Sequence, residues 1–571
     1  MPTELPPFLP FLLAGMLLPL LVRGPWRTLV LLGVPIYGFW RLLGIEHGEH
    51  YAISLIGQQL ELYRVDRLSL LFGYLFHIAA LVANLFALRI GRDERDTLQQ
   101  ASSQIYIAAA LGAVFAGDLI SLFVAWECMA LASVWLIFAR GGERALRAGI
   151  RYLAFQISSG LLLLAGAILW FADRGDIAFG HIGTDAPGGW LILAAFGIKS
   201  AFPFVHTWLT DAYPEATATG TVFLSAFTTK VAVYALARAF AGTEVLIYIG
   251  AVMTCFPIFY AVIENDLRRV LAYSMINQIG FMVVGIGIGT AMAVNGAVAH
   301  AFNDVLFKGL LMMSMGAVLF RTGDIRGSEL GGLWKTMPKT TGLCIVGAAS
   351  ISAFPLFSGF VSKSLVMVAL LDTGHVWVWP ALLFASAGVF HHAGIKIPYF
   401  AFFAHDSGKR PQEAPGHMLA AMGLAAALCI GIGVYPQALY ALLPFEMNYT
   451  PYDATHVLAQ LQLLFFSAAA FVWLNLRGIY PPELRSTNLD ADWLTRRAGL
   501  RAYRAGAALA SRLNAQLWAM AERLLGSVEF WLRRTHGEGG VIARTWAISH
   551  VVLMIVALMG LLLLFSYLHG G

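Results

Sequence analysis

The sequence predicts an all-α polytopic membrane protein of about 16 transmembrane helices, built on two inverted five-helix repeats with one broken helix each. Three observations carry that expectation. The 571 residues are 58% hydrophobic and only 12% charged, with a mean hydropathy of +0.71, more apolar surface than a soluble chain of this length could keep from water. The apolar runs are continuous and about 20 residues long, which suits helices and excludes the alternation of a β-barrel. The tetrapeptide SAFP occurs twice, at 200–203 and 352–355, each time inside such a run.

In order, the runs fall at 7–22, 27–43, 67–90, 102–117, 118–139, 148–173, 187–211, 218–240, 245–263, 270–290, 292–320, 339–372, 378–404, 414–434, 455–475 and 545–569. No small-residue cleavage site and soluble domain follow Phe8 to Val22, so the first run is read as a retained helix rather than a signal peptide. The expected organisation is three helices in 1–100, the first five-helix repeat in 101–241 and the inverted second repeat in 242–404. Two further helices follow in 405–475, then an amphipathic lateral helix in 476–544 and a last span in 545–571.

Loop charges give the orientation. Arg23, Arg27, Arg89, Arg92, Arg95, Arg140, Arg144, Arg147, Arg268, Arg269, Arg321, Arg326, Lys335, Lys339, Lys409 and Arg410 all fall on one side under this count. The positive-inside rule makes that side cytoplasmic, which puts both termini outside, in a bacterial cytoplasmic membrane. Residues 476–544 differ: Arg496, Arg497, Arg501, Arg504, Arg512, Arg523, Arg533 and Arg534 alternate with Leu494, Leu500, Leu509, Leu513, Leu517 and Leu524. That pattern suits a helix lying on the cytoplasmic membrane surface. Fifty residues of helix reach about 75 Å, enough to touch a neighbouring subunit, and anionic lipid alone would also hold such a helix.

The two SAFP copies are 152 residues apart with four helices between them, so the repeating unit is five helices and the second copy is inverted. Pro203 and Pro355 each remove a backbone donor and free a carbonyl one turn earlier, where water and ions can bind. Lys230-Val-Ala-Val-Tyr234 and Lys396-Ile-Pro-Tyr399 echo the same pairing. Two proline-containing helices can share four residues for packing alone, so the intramembrane charges carry more weight.

Glu127, Lys199, Lys230, His300, Asp304, Lys308 and Lys363 lie within the spans, and Lys396 lies near the end of the thirteenth. Each unpaired charge costs at least about 2.5 kcal/mol at the bilayer centre, and proton or ion pathways are the usual reason to keep so many. One lysine can snorkel from a helix end; five on separate helices argue against that. His300, Asp304 and Lys308 stand at i, i+4 and i+8, a stripe about 12 Å long on one helix face, with Asp304 placed to keep Lys308 charged. Glu127 needs a cation, and Lys199 is the expected partner.

The stretches DLISLFVAWECMALAS, KSAFPFVHTWLTDAYPEA, FLSAFTTKVAVYALAR, DLRRVLAYSMINQIGFM, HAFNDVLFKGLL and FPLFSGFVSKSL run in order over most of residues 100–400. They resemble the antiporter-like membrane subunits shared by respiratory complex I, membrane-bound hydrogenases and the Mrp cation/proton antiporters, and are most similar to the D-type Mrp antiporter subunits. The resemblance implies a proton relay. Glu127 and Lys199 would form the gating pair and Lys230 and His300 would continue along the midplane. Lys308 would be the central lysine of the second half, and Lys363 would lead to the outlet. Asp304 stands where the family usually shows a second histidine. The surface helix and sixteenth span resemble the distal large subunit of complex I rather than the D-type Mrp chains.

The leading expectation is therefore a proton-translocating subunit of a Na+ or K+:proton antiporter, working with other membrane subunits in the lipid bilayer. The rivals are a pumping subunit of a redox-driven complex and a module of bicarbonate or carbon dioxide uptake. Cys128, Cys255, Cys344 and Cys429 are scattered through apolar runs without a CxxC, so no metal or cofactor is expected and no reaction is expected of the chain by itself. The net charge of +5 is modest, and no nucleic-acid partner is expected.

Overall fold

The computed structural model describes residues 5–21, 24–55, 57–88, 94–485 and 488–569; Arg23, Arg89 and Arg92 of the basic loops lie outside these. Residues up to Asp490 form one compact unit and those from Ala491 a second. Eleven helical stretches among the described residues are long and apolar enough to cross a bilayer.

The first unit opens with α1 (Leu9–Leu17) and α2 (Pro25–Leu42), a hairpin of β1 (Gly48–Leu55) and β2 (Gln58–Val65), and α3 (Arg67–Phe86). It continues with α4 (Glu94–Phe115), α5 (Leu119–Phe138), α6 (Gly142–Arg174), α7 (Gly189–Lys199), α8 (Thr207–Ala212), α9 (Gly220–Ala226) and α10 (Thr228–Ala239). Next come α11 (Val245–Ile263), α12 (Leu267–Ile288), α13 (Ala291–Thr322), α14 (Pro338–Ile351), α15 (Ser358–Asp372) and α16 (Val378–Val389), which runs into π-helical turns at Phe390–Lys396 and Tyr399–Phe403. It closes with α17 (Gly416–Val434), α18 (Gln437–Tyr440) and α19 (Ala454–Leu476). α12 and α13 are buried almost throughout and form the axis of the bundle.

The hairpin departs from the all-α expectation. Its strands are eight residues each, too short to show a helical period, and they bury Leu60, Tyr63 and Val65 against the helices. In the second unit, α20 (Asp492–Leu494) and a π turn lead into α21 (Leu500–His536), followed by α22 (Ile548–His569). The 37 residues of α21 span about 55 Å, shorter than the expected lateral helix, and expose Leu509, Leu513, Leu517 and Leu524.

Contacts sort the loops of the first unit into two ends. At one end the hairpin joins the turns after α4, α6, α10 and α12: Gly117 N–H donates to Glu61 O (2.8 Å), Arg64 to Phe179 O (2.5 Å), Ile182 N–H to Ala239 O (2.8 Å) and Gly242 N–H to Ile286 O (2.9 Å). The other end gathers Arg140 on Pro214 O (2.6 Å), Arg268 on Ala216 O (2.9 Å), and Lys335 and Arg410 on Asp406. The basic loops of Arg140, Arg268, Lys335 and Arg410 thus share one end, which Lys409 links to Asp324.

Two joints between helices match in their backbone contacts. Asp118 caps α5 and bridges Ala178, while Asp266 caps α12 and bridges Arg326. Leu119 N–H donates to Ile177 O (2.9 Å), as Leu267 N–H does to Ile325 O (3.1 Å). Phe179 N–H donates to Gly117 O, and Gly327 N–H to Asn265 O. Every matching pair is separated by the same number of residues, and the two joints stand at opposite ends of the bundle.

The second joint carries a pH-dependent clamp. Asp324 accepts from its neighbours' backbone N–H groups (Ile325 2.8 Å, Arg326 3.2 Å) and pairs with the Arg326 guanidinium at 2.8 Å. Burial by itself would raise its carboxyl; the guanidinium and the two N–H groups outweigh that and hold it at about 2. A depressed carboxylate stabilises the fold above its unfolded value and loses that contribution as pH falls through its folded value. Asp324→Asn is therefore expected to lower the melting temperature in detergent at pH 7. The difference from wild type should shrink below about pH 4 and vanish toward pH 2; an unchanged difference at pH 3 would show the carboxylate charge to be irrelevant.

Candidate functional site

Both SAFP copies break their helix in the same way. α7 ends at Lys199 and α14 at Ile351; each is followed by a hydrogen bond spanning five residues, Phe202 N–H to Gly197 O (2.9 Å) and Phe354 N–H to Ala349 O (3.1 Å). Among the described residues, the non-glycine positions with positive φ are Ala201 (61°), Phe204 (69°), Ala353 (58°) and Leu356 (72°), two in each break at matching places. Non-glycine residues pay roughly 1–2 kcal/mol for this region, so the packing around both breaks imposes it. Freed carbonyls find donors: Trp208 Nε1 reaches Ile198 O (2.8 Å), Lys363 Nζ reaches Ile351 O (3.0 Å) and Gln460 reaches Ser352 O (3.0 Å). α7 alone covers about 16 Å, half a hydrocarbon core.

Six of the eight singled-out residues, Lys199, Lys230, His300, Asp304, Lys308 and Lys396, are 0% exposed; Lys363 is buried and Glu127 is half-buried. Lys199 Nζ donates to Trp126 O (2.7 Å) and lies 4.4 Å from the centre of the Trp126 ring, which Ser159 of α6 fixes through Nε1 (2.9 Å). Glu127 is next along α5. Its carboxylate occupies a notch over Gly160, where a Cβ would fall 1.5 Å from Oε1, and it acts on Lys199 electrostatically without forming a direct ion pair. The expected Glu127–Lys199 pair is thus an electrostatic pair, with Lys199 held by Trp126 rather than by Glu127.

The stripe on α13 meets partners that spacing alone did not give. Asp304 pairs with Lys230 of α10 at 2.6 Å, and its charge also reaches Lys308 and Lys363. Lys308 Nζ donates instead to Ser274 Oγ (2.7 Å) on α12. His300 lies between Ser362 Oγ (3.0 Å to Nδ1) and Gln278 Oε1 (3.0 Å to Nε2). Gln278 donates to Asn277 Oδ1 (2.7 Å), which fixes its amide; His300 Nε2 then donates, and Nδ1 accepts from Ser362. Lys363, the residue after Ser362, lies 5.1 Å from the Phe281 ring centre. Lys230, Asp304, Lys308, His300 and Lys363 therefore form one buried cluster whose charges act on one another, though their hydrogen bonds do not run as a continuous chain. Among the described residues no hydrogen bond ties it to Lys199.

Lys396 stands apart, holding Val262 O (2.6 Å), Glu264 O (2.8 Å) and Glu483 (2.7 Å) at the basic end. Lys230 and Lys396 both follow a helix irregularity, the kink at Phe227 and the π turn ending at Lys396. Sequence reasoning missed Trp126, Ser274, Gln278 and Ser362. Ser274, Asn277 and Gln278 at i, i+3 and i+4 within LAYSMINQIG form a polar stripe on an apolar helix, and that signal is present in the sequence.

Lysines buried in the core of a many-helix membrane protein, beside two proline-broken helices, are an arrangement usual in ion-translocating membrane subunits. Residues 116–390 match the family described as NADH:quinone oxidoreductase/Mrp antiporter, TM. NADH-quinone oxidoreductase subunit N of Desulforudis audaxviator (strain MP104C) is 32% identical over 363 residues, 58% of this chain and 72% of that protein. The chain belongs to this family. The D subunit of the Na(+)/H(+) antiporter of Bacillus subtilis (strain 168) is 25% identical over 386 residues, 64% of this chain and 76% of that protein. Among solved structures, a chain of the archaeal membrane-bound sulfane sulfur reductase, a respiratory membrane complex, shares the fold. Its TM-score is 0.70 at 23% identity, over 97% of this chain and 99% of that one.

Proposed function

We propose that this chain is the proton-translocating subunit of a multisubunit Na+ or K+:proton antiporter in a bacterial cytoplasmic membrane. It crosses the bilayer sixteen times as two inverted five-helix repeats with flanking helices, basic end inward and both termini outward. The observation that carries the reading is the buried cluster of Lys230, Asp304, Lys308, His300 and Lys363 beside two breaks of identical backbone shape. Lys199 receives a proton with Glu127 nearby as counter-charge. Movement of Glu127 away withdraws that charge, and the proton passes on toward Lys230. Asp304 then exchanges partners among Lys230, Lys308 and Lys363, and each exchange releases the lysine it leaves.

Lys199→Ala is the direct test. It is expected to lower sodium- or potassium-dependent proton movement in vesicles at least tenfold with the protein still inserted; unchanged movement would overturn the mechanism. The same channel in a redox-driven complex is the second reading, favoured by the match to a chain of a respiratory membrane complex over 97% of this chain. Flavin, iron or nickel in the co-purified complex supports that reading, and absence of all three argues against it.

A further inference from the structure

We infer that His392, Lys396 and Glu483 form a second proton route, joining Lys308 in the middle of the bundle to water at the basic end. The inference rests on the proton-relay reading above and adds two residues to it. His392 is 0% exposed, and beyond the Gly388 carbonyl one turn back neither ring nitrogen has a hydrogen-bond partner among the described residues, a state that buried polar groups rarely tolerate without a task. It lies in the π turn Phe390–Lys396, an irregularity that recurs at functional sites, one turn before Lys396. The groups whose charge reaches its ring are Lys308 of α13, and His391 and Lys396 of its own turn. Its ring is thus within electrostatic reach of both the relay lysine and Lys396, which shares its π turn.

Glu483 supplies the outer terminus. It lies on the strand of chain leaving α19, its side chain 6% exposed between the exposed residues Pro482 and Leu484. One carboxylate oxygen faces Lys396 Nζ at 2.7 Å, and the other lies against Gly327. Burial raises its carboxyl above the ordinary range, with Lys396 pulling the other way and Glu264 adding to the rise, so it takes up a proton more readily than a surface glutamate. Neighbouring residues anchor the same segment: Arg485 on Glu329 (2.7 Å), Asn488 on Glu264 (3.2 Å), and Asp490 on His206 (3.1 Å) and Tyr273 (2.7 Å). Lys308 is about 21 Å from the basic end of α13, a distance that three intervening titratable groups divide into short steps.

The transfer balances at each step. The Lys396 ammonium passes its proton to one nitrogen of His392, whose other nitrogen releases its proton to the Lys308 amine. Glu483 takes a proton from water and gives it to the amine left at Lys396. Reorientation of the ring then restores the starting state.

The test uses the assembled complex in inside-out vesicles, with a pH-sensitive dye reporting the initial rate. Glu483→Gln and His392→Gln are each expected to slow proton movement at least tenfold, while Glu483→Asp keeps more than half the rate. A purely structural glutamate would give the opposite ranking, because the glutamine amide still reaches Lys396 whereas aspartate is a methylene shorter. If Glu483→Gln fails to assemble, Lys396→Met/Glu483→Met removes both charges together and is expected to show the same loss. Rates within twofold of wild type for Glu483→Gln, with Lys199→Ala inactive, overturn this inference and leave the relay standing. If Lys199→Ala is also fully active, the relay reading itself is wrong and the second route falls with it.

Discussion

Replacing Asp304 with asparagine is expected to stop proton movement and to destabilise the protein by about 3–5 kcal/mol. Asp304 and Lys230 are both 0% exposed and 2.6 Å apart, so the substitution leaves an ammonium group buried without its counter-charge. Breaking such a pair costs more than never having had it, because the remaining ion keeps its full desolvation cost. Lys308 and Lys363 also feel the Asp304 carboxylate, so the loss extends beyond one contact. A double substitution, Lys230→Met/Asp304→Leu, separates the two effects. It removes both charges, should recover most of the stability in chemical unfolding in detergent, and should still conduct nothing. If Asp304→Asn vesicles keep the wild-type rate, the relay does not pass through Asp304. If the double variant conducts, the pair is structural only.

The bundle is legible in the sequence because a lipid solvent forces long apolar runs, and run length reports a helix whatever its partners. The breaks are legible for a similar reason, since proline removes a donor wherever it sits. What the residues do not show is which helix faces which. The i, i+4 spacing points from Asp304 to Lys308, whereas the pair closes across helices onto Lys230, and Lys308 donates to Ser274 on α12. The same limit hides Trp126: a tryptophan beside a glutamate reads as packing until its carbonyl and ring are seen holding Lys199.

The repeat is only half legible. SAFP stands out by identity of four residues. The second twin, Gly175-Asp-Ile against Gly323-Asp-Ile together with Asp118-Leu against Asp266-Leu, is present in the chain but does not stand out. Those short polar joints carry no hydropathy signal. Their likeness shows once Leu119 and Leu267 make the same backbone hydrogen bond at opposite ends of the bundle. The hairpin escapes notice because alternation over two eight-residue strands is lost among so many apolar helices.

Gly359→Ala is expected to damage transport more than its size suggests. Gly359 opens α15 directly over the end of α14, and a Cβ there would fall 1.9 Å from Ser350 O. A backbone carbonyl cannot swing aside like a side chain, so the two half-helices must part by an ångström or more to restore a normal contact. Overpacking of this kind costs about 1–3 kcal/mol in stability, sometimes more. The functional cost is larger, because α15 carries Ser362 and Lys363. Their grip on His300 Nδ1 and on Ile351 O is 3.0 Å in each case and does not survive that displacement. A misplacement of about 1 Å in a reacting array can reduce its rate on the order of 100-fold. Ala353→Gly in the same break is the matched control. It relieves a positive φ of 58°, leaves the half-helices in place, and should conduct normally with stability unchanged or improved by about 1 kcal/mol. Proton movement in vesicles and unfolding in detergent, measured on both variants, decide the matter. If Gly359→Ala conducts as well as Ala353→Gly, then the contact between the two halves of the broken helix does not position Lys363.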